Sequence, residues 1–391
     1  MEKLDFSQLP VVDGHCHLFN AQYSSHDLAH LLSMSLNDMP GEQVKQTLVY
    51  RCMLRELRIF LGQKGASDQD VLADREARML ADYSRWVKHL CADAGICSLL
   101  VDLGYKPAAV DLDEFERLVP ARVYYMFRIE SVLDDLWKDL AGGRMDFRQV
   151  EEGYLSALSE ALAAANLVAV KSIIGYRTGL AVKPVGRVQM IAAAPDEKSF
   201  RDYFLLQTMA KLKTRELPLQ LHAAFGESNI DIRRNHPGML KNLLDHPDYR
   251  QVRIVLVHGG YPHCFEAGYL ASVYPNLYVD ISEMFPFVPR GALRGLRDIF
   301  DMCPFGKVLY GSDGFIVPEI HWLGAKMVKD ALARLFTEYL DAGLIDADLA
   351  YRMARMVFAE NAQTLYALEP VQEAITGTRA RQPDEDQNRN R

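Results

Sequence analysis

Short apolar runs recur along the chain and alternate with longer stretches that have helical spacing. Eight runs rich in aliphatic and β-branched residues predict strands at Leu9–His15, Ile96–Leu103, Arg122–Ile129, Leu167–Ile174, Leu217–His222, Arg253–His258, Asn276–Ile281 and Lys307–Ser312. Between most of them, apolar residues three and four apart predict helices, as at Tyr154–Ala165, Phe200–Leu212 and Arg290–Met302. Strands that alternate with helices in this way predict an α/β fold, a (β/α)8 TIM barrel.

The connection between the first two predicted strands is too long for a simple crossover. It spans about 80 residues and contains helical stretches at Gln43–Gly62 and Asp68–Cys91. We therefore expect a helical insertion over about 24–95, at the mouth of the barrel. Its role is open between packing, a dimer contact and a lid that sets specificity. The barrel is expected to occupy 1–375, followed by a polar, disordered tail over 376–391.

Composition narrows the class of protein. The chain has 391 residues, of which 49% are hydrophobic and 25% charged, and this suits a globular protein with a large core. A formal charge of −8 argues against a general binder of nucleic acid or anionic membranes, because those partners need a basic surface. We therefore expect a small-molecule substrate, no nucleic-acid or membrane partner, and a homo-oligomer as an open alternative to a monomer.

Cysteine usage and the N-terminal sequence indicate the compartment. The six cysteines are scattered and form no CxxC pair, so neither a disulfide framework nor a cysteine-zinc site is predicted. The first residues lack a basic segment followed by an apolar one, and no apolar run approaches the length of a membrane span. The sequence thus predicts a soluble cytoplasmic protein.

Polar residues stand at the carboxyl ends of several predicted strands. In a TIM barrel these ends build the active site. The first strand ends in an HxH pair, whose two side chains point to one side of a strand. A lone histidine at such a position is more often structural, but several of them beside an aspartate form a nitrogen and oxygen ligand set that suits Zn²⁺, Mn²⁺ or Fe²⁺. The residues are His15, His17, Lys171, His222, His258 and Asp313.

These motifs resemble those of the amidohydrolase superfamily. The matching pieces, in the family's order, are Asp13–His17, Leu221-His222, Leu256–His258 and Gly311–Asp313. Further segments resemble the amidohydrolase-related (amidohydrolase 2) branch, which includes domains fused to glutamine synthetase-like proteins: Phe127–Glu130, Val170–Leu180, His258–Pro262 and Pro318-Glu319. The resemblance covers roughly 8–368 and implies a metal-dependent hydrolase that cleaves an amide or related C–N bond of a small substrate.

The resemblance also implies roles for the ligand set. His15, His17, Lys171, His222, His258 and Asp313 would hold one or two divalent ions, with Zn²⁺ as the first expectation and Mn²⁺ or Fe²⁺ as alternatives. Asp313 and His258 are the expected catalytic residues. Asp313 would transfer a proton from water to the leaving group, and His258 would bind a second ion or, in a one-metal site, orient water and polarise the substrate carbonyl.

Three roles are open for Lys171. It would form a carbamate that bridges two ions, remain an ammonium that binds a substrate carboxylate, or form a structural ion pair.

Three further residues are candidates for substrate binding. Arg128, Tyr176 and Arg177 would hold an anionic group, since a guanidinium donates two parallel hydrogen bonds to a carboxylate. The alternative for each arginine is an ion pair with a neighbouring acid. By default, His263, His321, Glu319 and Glu227, which fall on predicted loops at the mouth, are expected to support other residues.

Two other functions stay open at this point. One is metal-dependent non-oxidative decarboxylation, which related barrels with similar ligands carry out. The other is a non-catalytic regulatory domain that acts with a glutamine synthetase-like partner.

Overall fold

Eight parallel strands, hydrogen-bonded to one another in chain order, form the centre of the protein. The computed structural model describes residues 4–22, 28–37, 39–105, 110–192 and 195–370. The strands are β1 (Val11–Cys16), β2 (Ile96–Asp102), β3 (Arg122–Arg128), β4 (Leu167–Ser172), β5 (Leu219–His222), β6 (Ile254–Val257), β7 (Leu277–Asp280) and β8 (Val308–Leu309). Each overlaps one of the eight predicted runs, so the predicted barrel is confirmed.

Helices surround the barrel and fill the connections. They are α1 (Leu28–Leu31), α2 (Gly41–Val44), α3 (Leu48–Phe60), α4 (Asp68–Ala81), α5 (Tyr83–Ala94), α6 (Leu112–Leu118), α7 (Glu130–Ala141), α8 (Phe147–Ala161), α9 (Ile174–Arg177), α10 (Arg187–Ala192), α11 (Glu197–Arg215), α12 (Lys241–Asp245), α13 (Cys264–Val273), α14 (Met284–Phe287), α15 (Gly291–Phe300), α16 (Pro318–Asp341), α17 (Ala347–Arg355) and α18 (Asn361–Tyr366). A π-helical turn, Met356–Glu360, joins the last two.

Except for β3, most of whose residues are partly exposed, the strands are buried on both faces, which explains why the sequence shows apolar runs rather than strict alternation. Val12, Leu100, Met126 and Val255 belong to a core inside the barrel that Tyr366 of α18 also enters. The alternate strand residues pack outward against the helices in a larger core. The barrel interior is therefore filled, and a ligand can bind only beyond the strand ends.

Backbone hydrogen bonds join the first strand to the segment that follows the last one. The amide of Gly14 donates to the carbonyl of Tyr310 at 2.9 Å, and the amide of Asp313 donates to the carbonyl of His15 at 2.8 Å. A Cβ atom at Gly14 would lie 2.8 Å from the Tyr310 carbonyl oxygen, so this close approach requires glycine. We call this contact the seam; it nearly closes the barrel and brings the two ends of the predicted ligand set together.

Helices α1–α5 lie between β1 and β2. Two of their side chains donate to one oxygen of Glu319 on α16: Arg75 Nε at 2.6 Å and Trp86 Nε1 at 3.1 Å. Arg75 and Glu319 are buried, so this ion pair fixes the helical connection to the helix that follows β8. Residues 23–27 and Asp38 of the expected insertion lie outside the described residues. That this segment is an addition to the barrel, and that it acts as a lid, stay predictions.

The expected tail over 376–391, together with the domain limit at 375, lies outside the described residues. All six cysteines are free thiols, in agreement with the scattered sequence pattern. Within the part of the chain that the structure describes, no helix combines the length and the apolar character needed to cross a membrane.

Candidate functional site

One cavity of about 220 Å³ opens at the carboxyl ends of the strands. Its lining includes all nine residues that the sequence predicts for the site: His15, His17, Arg128, Lys171, Tyr176, Arg177, His222, His258 and Asp313. The ends of β1, β3, β4 and β5, helix α9 and the segments after β6 and β8 supply them. Residues far apart in sequence thus meet because parallel strands of a barrel end on the same side.

Asp313 lies at the centre of the histidine cluster. Its Oδ1 atom lies 3.1 Å from Nε2 of His15 and 3.2 Å from Nε2 of His17. The ring centroids of His222 and His258 lie 4.6 Å apart, and those of His15 and His258 lie 5.4 Å apart. The four imidazoles and the carboxylate therefore form one continuous cluster.

Three residues of the cavity have a left-handed backbone. His258, Asp313 and Glu283 have φ values of 68°, 53° and 59°. Such a conformation costs a residue with a side chain about 1–3 kcal/mol and occurs mainly where function requires it. All three residues lie just after a strand end and line the cavity. We therefore attribute the backbone strain to the direction in which these side chains must point.

Burial keeps His15, His222 and His258 neutral. It lowers the pKa of His15 to about 4, with a further contribution from the positive charge of Lys171. Burial likewise holds the pKa of His222 and of His258 well below the usual range. For Asp313, burial acts in the opposite direction, but the surrounding imidazoles outweigh it and hold the pKa of the carboxyl well below the usual range. At least three neutral imidazoles therefore lie beside an ionised carboxylate.

The donor set fits a divalent transition metal ion. Ligand atoms of His15, His258 and Asp313 all lie within 4.8 Å of one another. Two buried ring nitrogens, Nδ1 of His15 and Nε2 of His222, have no hydrogen-bond partner among the described residues, although buried polar atoms are rarely left unpaired. Neutral imidazole and carboxylate are ligands of Zn²⁺ and its neighbours in the first transition row. Residues that could hold a metal ion are therefore present at this site.

Lys171 is buried at the end of β4, with Nζ 3.3 Å from Nε2 of His15. Burial lowers the pKa of Lys171 to about 8, while the negative charges of Asp102 and Asp313 counteract part of that effect. A substantial fraction of this amine is therefore neutral near pH 8, and a neutral amine is the form that can react with CO₂. This position is compatible both with a carbamate and with an ammonium in contact with a substrate.

Both candidate arginines line the cavity, and both form ion pairs. Nε and Nη2 of Arg128 donate to Oδ2 of Asp102 at 2.8 and 2.6 Å. Arg177 donates to the two oxygens of Asp134 at 3.2 and 2.7 Å. Their Nη1 groups are not involved in these bonds, so the pairs orient the guanidinium groups without using all of their donors. The anion-binding role and the ion-pair role are thus not exclusive.

Tyr176 points toward the mouth of the cavity. Its ring centroid lies 4.5 Å from that of His222, and its hydroxyl donates to Glu227. Glu227 thus lines the cavity, whereas the sequence suggested only a supporting role. The other three residues that the sequence placed on loops at the mouth do not line the cavity, and two of them, Glu319 and His321, lie in helix α16 instead of a loop. His321 contacts Asp13 behind the cluster, Glu319 binds Arg75, and His263 stacks with His236.

Sequence reasoning missed several cavity residues. Glu283 follows β7, and the acid-containing end of this strand could have indicated it in the same way as the other strand ends. Met34 and Leu36 reach the cavity from the connection after α1, and no local sequence pattern indicates that. Phe287 and Phe315 give the cavity an apolar part of its lining, in contrast to the polar histidine cluster.

Comparisons with known proteins agree with this arrangement. The family model described as amidohydrolase matches residues 179–368, a range that contains His222, His258 and Asp313. A protein from Lactobacillus casei ATCC 334, provisionally named a metal-dependent hydrolase, has a similar structure with a TM-score of 0.80 and 27% sequence identity. That likeness covers 94% of this chain and 98% of the other.

Two further comparisons show how little of a relative's function can be assigned to this chain. Protein fluG of Emericella nidulans is 28% identical over 92% of this chain, but the chain spans only 46% of that protein's length. A uronate isomerase of Bacillus halodurans C-125 has a TM-score of 0.62 at 14% identity, with 93% of this chain and 94% of the isomerase covered. The isomerase likeness shows a shared fold alone. Taken together, these matches confirm the resemblance of this chain to the amidohydrolases that its sequence motifs predict.

Proposed function

We propose that the protein is a metal-dependent hydrolase that cleaves an amide or related C–N bond of a small, carboxylate-bearing substrate. The observation that carries this proposal is the convergence of neutral histidines, an ionised aspartate and a buried lysine in one cavity at the strand ends. Zn²⁺ is the first candidate ion, with Mn²⁺ and Fe²⁺ as alternatives. When bound by His15, His17, His222 and Asp313, such an ion would supply a Lewis acid that activates water and polarises a carbonyl.

Asp313 would act as the base and then as the acid. Its carboxylate is ionised at neutral pH, so it can accept a proton from the attacking water. The same proton would pass to the leaving nitrogen, so that an amide and water give a carboxylic acid and an amine. Because Asp313 also contacts two histidines, its orientation is fixed before the substrate binds.

His258 would orient the reacting groups or hold a second ion. Its Nδ1 atom lies 3.0 Å from the hydroxyl of Ser282, and this contact fixes the plane of the ring. Arg128 and Arg177 would bind the substrate carboxylate, with Tyr176 beside them at the mouth. The paired acids Asp102 and Asp134 would hold both guanidinium groups in place.

A hydrolysis screen in ¹⁸O-labelled water tests the proposal. Metal-loaded protein is incubated with N-acyl amino acids, amino acids that carry a side-chain amide, and dipeptides, and the released amine and carboxylic acid are quantified. We expect amine release with ¹⁸O in the acid, and at least a ~100-fold loss of kcat in Asp313→Asn. Asp348→Asn, an exposed aspartate far from the cavity lining, is the matched control and should retain full activity.

Other results would reject the hydrolase. Release of CO₂ from a carboxylic acid, without uptake of labelled oxygen, would indicate a decarboxylase. Full activity of Asp313→Asn would remove the proposed base. An inactive, metal-free protein that instead alters the activity of a glutamine synthetase-like partner would indicate a regulatory domain.

A further inference from the structure

The cavity has an apolar part that the proposed mechanism does not use. Five large side chains supply it: Met34, Leu36, Tyr105, Phe287 and Phe315. We call these five residues the apolar wall. Leu36 is 64% exposed and Tyr105 is 40% exposed, although contact with water is unfavourable for large apolar surfaces. Exposed apolar residues that are scattered need no explanation, but several that line one cavity are typical of a ligand-binding surface.

Three aromatic rings of the apolar wall form a row. The ring centroids of Tyr105 and Phe315 lie 6.0 Å apart, with the rings nearly perpendicular at 83°. Those of Phe315 and Phe287 lie 6.4 Å apart, with the rings nearly parallel at 15°. At the other end of the row, the centroid of Tyr105 lies 5.4 Å from that of His17. The row thus begins beside the histidine cluster, so an apolar group bound along it can belong to a ligand that also reaches the cluster.

The two aliphatic residues of the apolar wall are held in place by hydrogen bonds. The amide of Ser228 donates to the carbonyl of Met34 at 3.1 Å, and the amide of Leu36 donates to the hydroxyl of Ser228 at 3.1 Å. These two bonds tie the connection after α1 to the segment after β5, which also supplies Glu227 to the cavity. Because the backbone of Met34 and Leu36 is fixed in this way, less ordering is needed when a ligand binds against them.

The apolar wall adjoins a candidate site for the substrate carboxylate. Asp102 accepts from Arg128 with Oδ2 and from the amide of Gly104, the residue before Tyr105, with Oδ1 at 2.8 Å. A Cβ atom at Gly104 would overlap Cδ of Arg128, so the backbone that leads to Tyr105 packs directly against this arginine. Lys171 and Arg177 are further cations of the lining, so a carboxylate bound anywhere among the three stays in the same cavity as the apolar wall.

We propose that the apolar wall binds an apolar substituent of the substrate, close to its carboxylate. In combination with the proposed function, on which the reaction rests, the substrate class is a carboxylate-bearing amide with an aliphatic or aromatic substituent near the carboxylate. The carboxylate lies toward Arg128, and the substituent lies along Tyr105 and Phe315. Leu36 and Tyr105 are then specificity-determining residues, and the hydrolytic residues remain as described.

Ligands that cannot be hydrolysed test the apolar wall separately from turnover. Titrations followed by ligand-observed NMR compare 3-phenylpropanoate with propanoate on metal-loaded protein. The two ligands share the carboxylate and differ only in the phenyl group. We expect 3-phenylpropanoate to bind at least ~10-fold more tightly, because its phenyl group leaves water for the apolar wall. The double variant Leu36→Ser/Tyr105→Ser should reduce this preference to less than ~3-fold, and each single variant should lower it.

The matched control is Leu80→Ser/Tyr269→Ser, which changes the same residue types at 63% and 44% exposure, outside the cavity lining. It should keep the full preference. The proposal is wrong if the unmodified protein binds the two carboxylates equally or binds neither of them. It is also wrong if the variants of Leu36 and Tyr105 keep the preference, or if the control loses it as well.

Hydrolysis gives a separate result. If no amide is hydrolysed but the preference for 3-phenylpropanoate is intact, the proposed function alone is wrong. If N-acetyl-L-phenylalanine and N-acetylglycine are hydrolysed with equal kcat/KM and the binding preference is absent, the role of the apolar wall alone is wrong.

Discussion

Replacement of Lys171 by methionine should stabilise the metal-free protein at neutral pH. The lysine is fully buried, and burial lowers its pKa from the usual 10.5 to about 8. That shift of about 2.5 units, at about 1.4 kcal/mol each, means that holding the charged form inside costs about 3 kcal/mol. Methionine has a similar length and no charge, so Lys171→Met removes this cost without opening a large cavity.

The sign of the pH dependence follows from the direction of the shift. Since the folded protein has the lower pKa, the unfolded chain binds more protons between about pH 8 and 10.5, and the stability of the unmodified protein rises with pH in that window. Below about pH 8 the cost of the charge is fully present. We therefore expect Lys171→Met to be more stable by about 3 kcal/mol at pH 7, with a difference that shrinks toward zero as the pH rises to 10.5.

Urea unfolding of chelator-treated protein in CO₂-free buffer measures this difference at several pH values. A variant that is less stable than the unmodified protein at pH 7 would refute the reasoning and assign Lys171 a structural ion pair. The metal-loaded forms then separate the two remaining roles. Lower metal content in Lys171→Met, with a ¹³C-carbamate signal in the unmodified protein supplied with labelled bicarbonate, supports the bridge. Unchanged content with a raised KM supports an ammonium that binds substrate.

Three further predictions concern the arginines and the metal. Arg177→Lys should raise KM for a carboxylate substrate at least ~10-fold with little change in kcat, because lysine cannot hold Asp134 and a substrate in a planar fork; an equal KM would remove Arg177 from the site. Arg75→Met should cost about 3–5 kcal/mol in urea unfolding by leaving buried Glu319 without its cation, whereas Arg78→Met, an exposed control on the same helix, should cost less than about 1 kcal/mol. Treatment with a chelator should abolish hydrolysis, leave the far-ultraviolet circular dichroism unchanged and be reversed by Zn²⁺ or Mn²⁺; retained activity after verified metal removal would contradict a metal-dependent mechanism.

Most strands of this protein were predictable because they are buried on both faces. Parallel strands covered by helices are apolar throughout, so Val255 and Leu256 face opposite sides of the sheet yet both lie in a core. The polar residues at the strand ends were equally visible, because a histidine such as His222 interrupts an apolar run. Their convergence in one cavity followed from the barrel topology alone.

The rest of the cavity depended on information that is not local. Glu283 stands at a visible strand end, but its positive φ of 59° is a conformation that a glutamate does not indicate in the sequence. Met34 lies at the cavity in a connection that is held by a long-range hydrogen bond. The amide of Ser228, far away in sequence, donates to the carbonyl of Met34. The ion pairs of Arg128 and Arg177 likewise depend on acids that packing brings into place, Asp102 and Asp134.

The seam has a consequence for how the protein acquires its activity. His15 and Asp313 come from opposite ends of the barrel sequence, and the bonds between their segments form only when the last strand meets the first. During synthesis, a nascent chain that has not yet emerged as far as Asp313 has the first two histidines but no carboxylate beside them. If this cluster holds a metal ion as proposed, a partly made chain would offer that ion only an incomplete set of ligands until the barrel is nearly complete.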